Sequence, residues 1–149
     1  MALVAPLLIA IMFGTMELGY YFYSEHVVVK AVRDGARFAS RAGFNKFNCA
    51  TRTIDPAVVT DTQRVTRTDK VSGGAARLPG WTNDTSVQVT MPPCDTSGTY
   101  SGVYQDLSGG VPVVVVTATV PYTSLFSLLG FNTSGLQLKA ASEVPVMGA

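Results

Sequence analysis

Residues 2–23, ALVAPLLIAIMFGTMELGYYFY, decide the architecture of this 149-residue chain. The stretch carries a single charge, at Glu17, and closes with three tyrosines, Tyr20, Tyr21 and Tyr23. As a helix it would extend about 33 Å, whereas the hydrocarbon layer of a membrane is about 30 Å thick. Aromatic residues at the end of such a run are typical of the membrane–water interface. The stretch therefore predicts a membrane-crossing helix.

Two alternatives to an uncleaved anchor are a cleaved signal peptide and the buried helix of a soluble protein. A signal peptide has a basic start, a short apolar core and a small-residue cleavage site. Here no basic residue precedes the run, the run is too long, and no A-x-A site follows it. We favour the anchor. Because basic residues normally precede such a segment, we expect the native start to lie upstream of Met1, or the chain to have been trimmed.

The helical pattern continues beyond the apolar run. Between Ser24 and Ala42 there is no proline and one glycine, Gly35. At about 100° per residue, small and apolar residues share one face and basic residues share the opposite face. The apolar set is Val28, Ala31, Val32, Gly35, Phe38, Ala39 and Ala42, and the basic set is Lys30, Arg33, Arg37 and Arg41. The pattern predicts one helix from about 2 to 42, with Gly43 as its C-cap.

The remaining residues, 44–149, predict a small domain that covers this apolar face. Asp55-Pro56 starts a helix over about 56–70, which Gly73-Gly74 ends. Alternating or Val/Thr-rich runs predict strands at about 86–91, 111–120 and 136–144, and residues 92–110 are predicted as a surface loop. The fold class is thus α+β. It comprises a membrane half-helix (1–23), an amphipathic half-helix (24–43) and an antiparallel-sheet domain (44–149).

Composition disfavours several functional classes. Eleven basic and ten acidic residues leave a net charge of +1, which does not favour a nucleic-acid partner. His26 is the only histidine, and the chain has neither a G-x-S-x-G motif nor a glycine-rich phosphate loop after a strand. The aspartates after residue 50 do not follow calcium-loop spacing. We predict no enzyme activity, no catalytic residues, no metal, no cofactor and no small-molecule substrate.

The two cysteines, Cys49 and Cys94, lie on either side of the predicted helix-and-strand unit. In an oxidising compartment they can form a disulfide, which would stabilise the fold by roughly 4 kcal/mol through loop closure. The alternative is two unrelated buried thiols. We favour the disulfide, because a small sheet gains from a covalent link.

Three motifs carry a resemblance to a known family. They are ALVAPLL at 2–8, FGTMELG at 13–19 and AVRDGARFAS at 31–40. Together they resemble the opening of TadE-like proteins, which are pseudopilins of tight-adherence (Tad or Flp, type IVc) pilus systems. Weaker echoes are LPGWT at 78–82 and the run at 115–122 that ends in a Pro-Tyr corner. The strong part of the resemblance covers about the first 43 residues.

The resemblance implies a pilin-like fold and a non-catalytic role in pilus assembly. Its implied partners are other pilin or pseudopilin subunits, met through the N-terminal helix, and the lipid of the inner membrane. In the family a prepilin peptidase cuts after a glycine, and a glutamate follows the cut. Neither feature can be assigned here, because the chain begins at Met1, where the family usually has an aromatic residue.

The resemblance also implies a single-pass bacterial inner-membrane protein with a periplasmic domain, and it leaves open whether the subunit enters the filament. One pattern opposes this orientation. Six of the eleven basic residues fall between Lys30 and Arg52, and the positive-inside rule would then place the domain in the cytoplasm. We favour the periplasm because of the predicted disulfide and the resemblance. The alternative function is a membrane-anchored periplasmic module that binds glycan or peptidoglycan.

Glu17 is the first candidate site residue, since a carboxylate inside an apolar run is costly. It either pairs with a cationic group of a neighbouring subunit or reaches water beside Tyr20 and Tyr21. Ala10 and Gly14 form a small-xxx-small pair that permits close helix approach, and Gly19 is a further small residue in the same segment.

Two further surfaces have alternative interpretations. The basic face either binds anionic lipid or an acidic partner, or is simply solvated. An apolar stretch between two predicted strands either folds into the core or forms an exposed docking patch. This stretch comprises Leu125, Phe126, Leu128, Leu129 and Phe131.

Overall fold

A single helix, α1 (Val4–Ser40), forms the N-terminal arm with its first half and contributes its second half to the core. The computed structural model describes residues 4–105, 107, 109–127 and 135–148. At 37 residues, α1 is about 55 Å long. A small antiparallel sheet packs on its C-terminal half, which confirms the predicted α+β class.

The sheet has three strands in the order β3 (Val87–Thr90), β4 (Val113–Pro121) and β5 (Gln137–Pro145), and both pairings are antiparallel. β4 is central because its Val-rich sequence suits a half-buried pleated surface. Alternate β4 residues are fully buried against α1, and those between them are partly buried. The buried set is Val114, Val116, Ala118 and Val120.

The second helix, α2 (Pro56–Thr68), lies across α1. Asp55 caps it by accepting a hydrogen bond from the Ala57 amide at 2.9 Å, and Pro56 occupies its first turn. Hydrogen bonds from Lys46 and from that amide lower the pKa of Asp55. Before α2, a short hairpin of β1 (Phe47–Asn48) and β2 (Thr53–Ile54) carries the chain back, a pairing that the sequence patterns did not predict.

Both helices end about two residues before the predicted positions, and the predicted C-cap at Gly43 is wrong. α1 ends at Ser40, and Gly43 has φ −60° instead of the left-handed conformation expected of a C-cap. The Ser40 carbonyl instead accepts a hydrogen bond from the Met147 amide at 2.8 Å, so a residue after β5 provides the partner for this carbonyl at the end of the helix. α2 ends at Thr68, before Gly73-Gly74, because Asp69 takes the left-handed conformation at φ 66° and its amide bonds to Val65.

The two helices approach each other most closely at Gly35. A Cβ added there would lie 2.0 Å from Thr66 Oγ1 and 3.7 Å from Thr62 Cγ2. Thr66 cannot easily move away, because its hydroxyl donates to the Thr62 carbonyl at 2.7 Å and its side chain is fully buried. A glycine is therefore needed for this crossing.

We expect Gly35→Ala to lower the free energy of unfolding by about 1–3 kcal/mol through overpacking. Guanidinium unfolding in detergent measures this through the emission of Trp81, the only tryptophan, which is 1% exposed. Gly19→Ala on the same helix is the matched control, since an added Cβ there meets nothing within 4 Å. Equal stability of the two variants would contradict the tight crossing.

Thr62 generates a second stability prediction. Its side chain is fully buried, and its hydroxyl has no hydrogen-bond partner among the described residues. Thr62→Val keeps the shape and removes an unsatisfied polar group, so we expect unfolding to require about 1 kcal/mol more. Thr66→Val removes a bonded hydroxyl and is expected to lower stability in the same assay. A loss of stability in Thr62→Val would show that its hydroxyl has a partner.

Candidate assembly site on the apolar helix

The N-terminal half of α1 is apolar, and most of its surface is not covered by other described parts of the protein. It is long and apolar enough to cross a membrane, and its most apolar 18-residue window is 0% buried in the protein. Large apolar side chains project from all sides of it. Those that are more than half exposed up to residue 18 are Val4, Leu7, Leu8, Ile9, Ile11, Met12, Met16 and Leu18. This exposure disfavours the buried core helix of a soluble protein and leaves a surface that lipid or other helices must cover.

Glu17 is the one charged group in this half of the helix, and the sheet domain supplies its partners. The Tyr122 hydroxyl donates to Glu17 Oε1 at 2.7 Å, and the Leu125 amide donates to Oε2 at 3.2 Å. We call these two contacts the Glu17 clamp. The sequence patterns had suggested water or a neighbouring subunit for this carboxylate, because a contact spanning more than a hundred residues leaves no local pattern.

A backbone hydrogen bond and aromatic packing hold Tyr122 in position to donate to Glu17. It directly follows β4, its amide bonds to the Leu136 carbonyl at 3.0 Å, and its side chain is 6% exposed. Its ring contacts Tyr21 edge-on at 5.2 Å and Tyr20 at 6.1 Å. Burial raises the pKa of Tyr122 well above its usual range, and the hydrogen bond to Glu17 raises it further. The phenol therefore stays protonated and continues to donate at physiological pH.

The loop after Tyr122 continues along α1 towards its N-terminus. Phe126 packs edge-on against Phe13 with ring centroids 5.0 Å apart, one helical turn before Glu17. Leu125 beside it is 47% exposed. Of the predicted apolar stretch, Leu125 and Phe126 thus lie against the apolar helix, whereas Leu128, Leu129 and Phe131 lie outside the described residues.

The small residues predicted for helix assembly remain uncovered. Ala10, Gly14 and Gly19 are exposed, and a Cβ added at Gly14 or Gly19 would meet nothing within 4 Å. The structure does not bring them against another element among the described residues. Their role in helix association stays a prediction.

The basic face is exposed along α1. Lys30, Arg33, Arg37 and Arg41 make no ion pair with any residue that the structure describes. The acid between them, Asp34, is bound to Arg77 at 3.1 Å. Lys30, Arg33 and Arg37 extend over about 10 Å of α1. Arg41 directly follows the helix, and all four cations are exposed to solvent or to a partner.

Cys49 and Cys94 form a disulfide with a Cα–Cα distance of 5.6 Å. It connects the β1–β2 hairpin, which follows the C-terminal end of α1, to the segment after β3. The disulfide and the Glu17 clamp therefore hold opposite ends of the domain. Among the described residues, no three His, Cys, Asp or Glu side chains are grouped so that they could hold a metal ion.

The exposed apolar helix and the Glu17 clamp are the features to compare with known proteins. Residues 1–37 match the model of the family described as TadE-like protein. The match confirms the resemblance over the apolar half of α1, Glu17 and most of the amphipathic half. It ends within α1, so the α+β domain lies outside it. No curated protein and no solved structure matches this chain.

The Glu17 clamp predicts a measurable coupling. Glu17→Ala, Tyr122→Phe and the double variant form a double-mutant cycle. Each single variant already loses the hydrogen bond between the two side chains, and the double variant cannot lose it again. We therefore expect a coupling free energy of about 1–2 kcal/mol. Unfolding followed by Trp81 emission measures it. Glu25→Ala is the control, since Glu25 has no hydrogen bond or ion pair with the described residues. Strictly additive effects would rule out a contributing clamp.

Proposed function

We propose that this protein is a minor pilin or pseudopilin that takes part in assembling a Tad-type pilus and catalyses no reaction. The observation that carries the proposal is the bare apolar half of α1, within the 37 residues that match the TadE-like family. A helix that is apolar on every side suits both lipid and a bundle of like helices.

In the proposed mechanism the N-terminal half of α1 first anchors the subunit in the inner membrane. The same surface then packs against the helices of other pilin subunits as the subunit is drawn into an assembly complex. The exposed Ala10, Gly14 and Gly19 permit close approach in that bundle. Two alternatives remain open within this proposal, namely incorporation into the filament and action only at its base.

The proposal places the α+β domain in the periplasm. The Cys49–Cys94 disulfide supports this orientation, because disulfides persist in oxidising compartments. The basic face supports a role for charge at the contact surface. Its four cations are exposed and have no ion pair within the described part of the chain, so they can meet an acidic partner or anionic lipid.

A helix replacement tests the proposal in the bacterium that produces the protein. Residues Val4–Met12 are exchanged for an unrelated apolar sequence of equal length, which keeps Phe13 and the Glu17 clamp. We expect surface pili, counted by electron microscopy, to fall to the level of a strain that lacks the protein. Fractionation and Trp81 emission provide the control that the variant is inserted and folded.

The alternative function, a membrane-anchored module that binds glycan or peptidoglycan, predicts the opposite result. In that case any anchor would serve, and the replaced helix would leave function intact. Normal pili in the replacement strain would therefore contradict the pseudopilin proposal and favour a function carried by the domain.

A further inference from the structure

We propose that the loop Tyr122–Ser127 enters the lipid bilayer beside α1, with Leu125 in contact with lipid acyl chains. The inference rests on the membrane-anchor part of the proposed function. Its starting point is the contact between Phe126 and Phe13, which places part of the sheet domain against the apolar half of the helix.

The position of this contact along α1 sets the depth of the loop. Phe13 precedes Tyr23, the last aromatic residue of the apolar run, by ten positions, or about 15 Å of helix. A span of about 30 Å that ends near Tyr23 places Phe13 close to the middle of the hydrocarbon layer. A boundary at Glu17 would still leave Phe13 about 6 Å inside. In both cases a loop that touches Phe13 reaches the hydrocarbon.

The chemistry of the loop suits this location. Residues 121–127 carry no charged side chain. Leu125 is 47% exposed in the protein, and Met12 and Met16, which are also exposed, lie within three positions of Phe13 on α1. Leu125 therefore adds to the apolar surface that the helix presents, and acyl chains that cover this part of the helix can also cover Leu125.

Backbone amides inside lipid need internal partners, and four of the six amides in residues 122–127 have one. The Leu125 amide donates to Glu17, and the Phe126 amide donates to the Ser124 hydroxyl at 3.0 Å. The Tyr122 and Ser127 amides donate to backbone carbonyls at 3.0 and 3.4 Å. These bonds lower the cost of placing irregular backbone at membrane depth.

Glu17 gains from the same arrangement. A carboxylate within the bilayer is costly unless it is hydrogen-bonded. The inserted loop carries both donors of the Glu17 clamp to it. Insertion of the loop therefore explains how a charge is tolerated in the middle of the apolar run.

Quenching of tryptophan emission by phospholipids brominated on their acyl chains tests the proposal with the full-length protein in vesicles. Leu125→Trp places a probe at the exposed leucine of the loop, and Trp81 supplies only a buried background. Val103→Trp is the matched control, because Val103 is 65% exposed and its turn lies by Phe44, beyond the C-terminal end of α1. Leu8→Trp marks the span itself.

We expect the added emission of Leu125→Trp to be quenched at least half as strongly as that of Leu8→Trp, and Val103→Trp to behave like the parent. Quenching at residue 125 no greater than at residue 103, with residue 8 quenched, would overturn loop insertion and leave the anchor intact. Absence of quenching at residue 8 would overturn the anchor itself, and loop insertion with it.

Discussion

The hydrogen bonds that Tyr122 and Leu125 donate to Glu17 fasten one end of the domain to its helix. They divide α1 into a part that the protein covers and a part that it leaves bare. Without them, a carboxyl group would lie on an apolar helix with no compensating contact, which is costly in any membrane or helix bundle. The Glu17 carboxyl group needs hydrogen-bond donors, and the segment that follows β4, the central strand of the domain, supplies them.

Close packing on the other half of α1 depends on small side chains. Ala31, Gly35 and Ala39 are fully buried or nearly so, and they let α2 and the sheet approach the same helix from different sides. The disulfide then holds the end of the domain farthest from the clamp. A single helix can therefore serve as anchor and as core, because its two halves have different compositions and different neighbours.

Periodicity made much of this architecture predictable. The apolar run, the small-residue face of α1 and the Val-rich strand β4 each carry a local pattern that tertiary packing reinforces. The partner of Glu17 had no such signal, because Tyr122 is more than a hundred residues away. The ends of α1 and α2 depend on Met147 and Asp69, whose amides satisfy helix carbonyls, and glycine positions alone did not reveal them. The β1–β2 hairpin is too short to show an alternating pattern.

We propose that α1 anchors a domain that folds on the oxidising side of the membrane, as a subunit of a pilus-assembly apparatus. The redox state of Cys49 and Cys94 in cells tests this most directly. Cells are quenched in acid, free thiols are alkylated, and the mass of the full-length protein is measured. We expect that neither cysteine is alkylated before reduction and that both are alkylated after it. Two alkylated thiols before reduction would place the domain in the cytoplasm and contradict this proposal.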